Sequence, residues 1–152
     1  MPVSITEETL TPSLVEQRIV RTLPDIMQEG ASGVYLLELE VEGGGTFQST
    51  WITAMTLTLY DEETGSLINN RLNQDILGGG SGDNDVQVGM TGEITWAIQP
   101  EDNVYVDPTK TKRLEVHRAI FRVSYNAGSD DEVFVHEMRF QVKPLYVPIG
   151  TN

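Results

Sequence analysis

The sequence predicts a mainly β protein folded as an antiparallel β-sandwich, and two observations carry that prediction. The first is strict alternation over residues 117–142. Ala119, Phe121, Val123 and Tyr125 share one face, and Phe134, His136, Met138, Phe140 and Val142 share one face of the next run. Alternation of this length marks half-buried antiparallel strands, and residues 126–131 supply a turn of Gly, Asn, Ser and Asp between them. The second observation is that the same strand–turn–strand pattern occurs twice earlier. A sheet with one apolar face must bury it against a second layer.

Taken in order, residues 1–33 read as an N-terminal arm. Val3, Ile5 and Thr6 suit a short edge strand or an extended arm. Thr11 is placed as an N-cap before Pro12 at the first helical position, with Glu16 in the opening turns. Leu14, Val15, Ile19 and Leu23 make one stripe, so a short helix is expected over 12–22. Pro24 ends it, and 23–27 reads as a loop closed by 30–33. The alternative is an extended arm lying on a neighbouring subunit.

Residues 34–143 form the sandwich domain. Tyr35, Leu37, Leu39 and Val41 alternate with a mainly acidic face. Gly43, Gly44 and Gly45 break that strand. Residues 51–60 resume it with Met55, Leu57 and Leu59 inward, and an acidic turn at 61–65 leads into a partner strand at 66–69. Residues 70–77 suit a short strand or one helical turn. After a glycine-rich loop at 78–85, two short strands follow at 86–88 and 93–98, with Ile94, Trp96 and Ile98 on one face. Residues 99–112 read as a long surface loop, and 144–152 as an extended C-terminal tail with two prolines. Seven or so strands with this turn spacing fit the immunoglobulin-like type of sandwich.

Composition narrows the functions. Ten basic against twenty-three acidic residues give a net charge of −13. Such a surface repels nucleic-acid phosphates and anionic lipid, so neither nucleic acid nor membrane is an expected partner. The absence of cysteine removes disulfides and thiolate chemistry. No secretory signal and no apolar run of membrane-spanning length is visible, so synthesis in a cytoplasm is expected.

Candidate chemistry is sparse. Residues 79–86 approach the glycine-rich calcium turn, with Asp83 and Asp85 as carboxylate ligands, although Asn84 stands at the sixth position and there is one copy. The plainer reading is a hairpin loop. His117 and His136 are the only imidazoles and lie on strands expected to pair. A metal site there needs a carboxylate, for which Glu115 and Glu137 are the candidates; core or interface histidines are the plainer reading. Neither Ser32 nor Ser81 completes a nucleophile elbow, and the glycine triplets lack the endings of phosphate loops. Trp51 and Trp96 read as packing residues. No cofactor is expected. Lys110, Lys112, Arg113, Arg118 and Arg122 form a basic concentration suited to an acidic partner or another copy, and Tyr146, Val147 and Ile149 in the tail join them as candidate partner contacts.

Residues 51–142 resemble a small β-sandwich protein that tailed bacteriophages encode among their virion-structure genes. The likeness lies in Trp51-Ile52-Thr53 and 55–61, continuing through Gly65 to Leu67-Ile68-Asn69. It resumes in Glu93-Ile94-Thr95-Trp96, in 99–103 and in 115–121. The resemblance implies a non-enzymatic, immunoglobulin-like component of the virion, made in the host bacterial cytoplasm. Head decoration or a head-to-tail connector is expected before a tail or baseplate position. Its expected partners are capsid, portal, connector or tail proteins and copies of itself. The remaining alternatives are a calcium-binding surface adhesion module built on 78–85 and a metal-dependent enzyme centred on His117 and His136.

Overall fold

The alternating runs become two packed sheets. The computed structural model describes residues 3–5, 18–41, 46–77, 85–109, 113–128 and 130–145. Among them are β1 (Val3–Ile5), β2 (Arg18–Gln28), β3 (Gly33–Val41), β4 (Ile52–Asp61), β5 (Gln74–Asp75), β6 (Val86–Val88), β7 (Glu93–Ile98), β8 (Glu115–Asn126) and β9 (Asp131–Lys143). One sheet has the order β1-β3-β7-β6 and the other β2-β9-β8-β4-β5. In immunoglobulin lettering these are A-B-E-D and, beyond β2, G-F-C-C′. The fold is an immunoglobulin-like β-sandwich.

Every run that alternates in sequence does so in space. Tyr35, Leu37, Leu39 and Val41 of β3, Met55, Leu57 and Leu59 of β4, and Ile94, Trp96 and Ile98 of β7 are buried between the sheets. From β8 and β9 come Ala119, Phe121, Val123, Tyr125, Phe134, Met138, Phe140 and Val142. The β8–β9 hairpin is in continuous register from Glu115↔Val142 to Asn126↔Asp131. Trp96 is fully buried and meets Phe121 and Phe140 edge-on, with centroids 5.5 and 6.4 Å away. Such edge-to-face pairs add about 0.5–1.5 kcal/mol each beyond area burial.

Immunoglobulin domains often join their layers by a disulfide between the second strand and the sixth, which a chain without cysteine cannot do. Tyr35 of β3 takes that place. Its ring stacks 6.3 Å from Phe121 on β8 and 5.9 Å from His136 on β9, and its hydroxyl lies 2.6 Å from His136 Nε2.

The N-terminal helix expected over 12–22 is not what forms in its described part. Residues 18–22 belong to β2, which pairs in parallel with β9, so the sandwich is not wholly antiparallel; 12–17 lie outside the described residues. Ile19, Val20 and Thr22 are β-branched and suit a strand better than a helix, and the β9 ladder engages their backbone on one side. The loop expected at 23–27 is also part of β2. Pro24 falls where the register shifts between Thr22 and Ile26. An edge strand with a bulge tolerates the missing N–H there.

Two further expectations change. The partner strand at 66–69 reduces to one bridge, Tyr60↔Leu67, because Asn69 and Asn70 take positive φ of 54° and 53°. On the side away from β8, β4 pairs with β5, at Thr56↔Asp75 and Leu57↔Gln74. The loop after β7 is not wholly superficial either: Pro100–Asn103 forms a 3-10 turn whose Asp102 and Asn103 are fully buried. Gly92, before β7, has φ +95°, and a Cβ there would lie 2.9 Å from the Leu39 carbonyl. That approach requires glycine.

Tyr35→Phe keeps the stack and removes the hydroxyl. It is expected to lower unfolding free energy by about 1–3 kcal/mol with native near-ultraviolet circular dichroism retained. An unchanged denaturation midpoint would contradict the role given to the Tyr35–His136 bond.

Candidate functional site

Two polar assemblies stand out against the apolar interior, one on the outer face of the five-stranded sheet and one at an end of the sandwich. On the outer face, register sets Arg118 of β8 directly opposite Arg139 of β9. Two like charges at that spacing repel. Glu62, just past β4, resolves the conflict. It accepts from Arg118 Nε at 2.6 Å and from Arg139 Nε and Nη2 at 2.7 and 2.8 Å. Arg118 Nη1 also donates to Glu137, which is fully buried. The Arg139 hydrogen bond and the neighbouring Arg118 outweigh desolvation and hold the Glu62 carboxyl at a pKa of about 2, below its ordinary 4.5.

Sequence reasoning grouped Arg118 with a free basic patch; here it is part of an ion network. Arg122 is exposed on the same face, four residues further along β8. Arg113 lies elsewhere, with Ile26, Leu114 and Lys143 around a hollow of about 470 Å³. Lys110, Lys112, Tyr146, Val147 and Ile149 lie outside the described residues. Arg139 escaped notice because its importance depends on strand register, which no local motif announces.

The second assembly centres on Arg71, 1% exposed. Its Nε and Nη2 donate to the two oxygens of Asp102 at 2.6 and 3.1 Å, Nη1 donates to Gln74 Oε1 at 2.6 Å, and Nη2 also reaches Asp85. Asn69 Nδ2 and the Gln99 N–H complete Asp102 at 2.9 and 2.8 Å. Burial alone would favour a neutral guanidine; the hydrogen bonds and charges of Asp102 and Asp85 reverse that and raise the Arg71 pKa. Asp85, a candidate calcium ligand in the sequence, is thus a guanidinium partner. Asp83 lies outside the described residues.

Next to this pair, β8 turns Glu115 and His117 inward, and β4 places Asp61 directly opposite His117. Glu115 accepts from the N–H groups of Val106 and Asp107 at 2.8 and 2.7 Å, and lies 3.0 Å from His117 Nε2. Thr64 donates to Asp61 Oδ2 through its N–H and hydroxyl, at 2.9 and 2.7 Å. Burial lowers the His117 pKa, against the opposing pull of Glu115, Asp61 and the Asp102 main chain.

The two histidines do not form one centre. His117 pairs with Phe140 and His136 with Phe121, which separates them by four residues of strand, about 14 Å. Glu137 faces Arg118 on the other side of the sheet. Trp51 packs edge-on against Phe47 at 5.2 Å, as a packing residue. Among the described residues no helix is long and apolar enough to cross a membrane. No described protein family, curated protein or solved structure matches this chain.

The Glu62 network fixes a pH dependence. Its folded pKa lies below the unfolded one, so its stabilisation is complete above about pH 4.5 and is lost as pH falls toward about 2. Glu62→Gln is expected to cost about 1 kcal/mol at neutral pH after solvent screening, and to flatten the loss of stability across that acid window. Denaturation curves that keep the wild-type slope there would contradict it.

Proposed function

We propose that this chain is a non-enzymatic structural subunit of a tailed-bacteriophage virion, of the head-decoration or head-to-tail connecting type, acting through symmetric contacts with capsid, connector or tail proteins and with its own copies. The observation that carries this reading is an outward apolar patch on β3, made by Val34 and Leu36. β1 pairs with residues 39–41 of β3, and β7 pairs with 33–38 from the other side. Large apolar side chains that stand exposed together mark a surface suited to a protein neighbour.

The margins at β5, β6 and β2 are blunted. β5 and β6 are two and three residues long, and β2 carries Pro24 and a bulge. The 33–38 stretch presents Val34 and Leu36 outward at 71% and 41% exposure. A sandwich whose interior is filled by its own side chains supports a role played at the surface. The resemblance of residues 51–142 to phage virion sandwiches supplies the identity of the neighbours. The hollow beside Arg113 and Lys143 adds a cationic rim over apolar Ile26 and Leu114, suited to an acidic segment with an apolar anchor.

Light scattering coupled to size exclusion, alone and with capsid and connector proteins, tests this reading. Self-association or co-elution with a virion protein is expected, weakened at least tenfold in Val34→Glu with Leu36→Glu. A chain that stays monomeric and binds none of these proteins would contradict it.

A further inference from the structure

We propose that Asp61, Glu115 and His117 form a binding site for one divalent transition-metal ion of the zinc class. The proposal is independent of the virion reading. Among the described residues, these three bring ligand atoms within 4.8 Å of one another, and all three are buried. Their placement follows from strand geometry. Glu115 and His117 are two apart on β8 and so share its inner face, and Asp61 is the cross-strand partner of His117. Side chains at i and i+2 plus a directly opposed neighbour converge on one point above a sheet.

Charge and hydrogen bonding both ask for a cation there. Two carboxylates, 2% and 3% exposed, stand side by side, and Thr64 and the Val106 and Asp107 amides answer them with neutral donors. Buried charge without a counter-charge is costly. Arg71, the nearby buried cation, is engaged with Asp102 and Asp85.

The imidazole gives the second, independent sign. Its Nε2 lies 3.0 Å from Glu115 Oε1, and its Nδ1 is buried without a hydrogen-bond partner. With the proton on Nε2, the Nδ1 lone pair is left buried and unanswered. With the proton on Nδ1, the Nε2 lone pair faces a carboxylate oxygen with nothing between them. A metal on Nε2, shared with Glu115 and Asp61, removes the second conflict. An ionised carboxylate retains lone pairs after accepting one or two N–H bonds, so Glu115 keeps its loop contacts while ligating.

One nitrogen and two carboxylate oxygens suit zinc-class ions; calcium prefers a larger all-oxygen set. Enclosed as it is, the site is structural: the ion ties the β4 end, the start of β8, the 61–65 turn and the 106–107 loop to one point.

The test uses the full chain, stripped with chelator and titrated with zinc chloride at pH 7 by calorimetry, alongside long-range nitrogen-15 spectra of the two histidine rings. One equivalent of zinc is expected, with a large change at the Nε2 of a single ring, and no uptake of calcium at the same concentrations. His117→Gln and Asp61→Asn should each weaken zinc at least tenfold, and Asp130→Asn, on the exposed turn, should not. Circular dichroism checks that the variants fold. If neither does, the wild-type spectra still decide. No saturable uptake, a response confined to His136, or full affinity in both folded variants would overturn the proposal.

Discussion

A single guanidinium closes one end of this sandwich. Arg71 donates to Asp102, Gln74 and Asp85, and its carbonyl accepts the Leu59 N–H of β4. Four parts of the chain meet on it: the β4 strand, the asparagine-rich loop to β5, the entry to β6 and the turn after β7. A buried arginine is unfavourable unless its charge and donors are matched. The loops here are shaped to match them, with Asn69 and Asn70 in left-handed conformations and a capping box over Pro100–Asn103. Beside it, Asp61, Glu115 and His117 make a second buried polar cluster.

The aromatic stack across the layers has the complementary task. Tyr35, Phe121, His136, Trp96 and Phe140 fill the middle of the sandwich and fix the spacing of the sheets. The polar clusters fix their ends. Outside both lies the outer face of β3, where Val34 and Leu36 are exposed.

The strand stretches were legible because period-two alternation is a local property. Tyr35 to Val41, Met55 to Leu59 and Ala119 to Val142 state their buried faces without reference to any partner. β2 was misjudged because a proline and a short apolar stripe look alike whether a helix or a bulged edge strand follows; pairing with β9 decides, and that lies more than a hundred residues away. The polar clusters were hidden for the same reason. Glu115 and His117 are visible as neighbours on one face, but Asp61 joins them only through the β4–β8 register. Arg71 sits in a stretch of asparagine and leucine that announces neither burial nor charge pairing. Arg139 likewise gains its meaning from standing opposite Arg118.

The most direct measurement is a double-mutant cycle on Arg71→Met and Asp102→Leu, read by chemical denaturation. Each single change should cost about 3–5 kcal/mol because it strands the other charge in the interior. The double mutant should recover much of that, giving a coupling of at least about 2 kcal/mol. Losses that simply add, with coupling within about 0.5 kcal/mol, would mean that the end of the sandwich is held by something other than this pair.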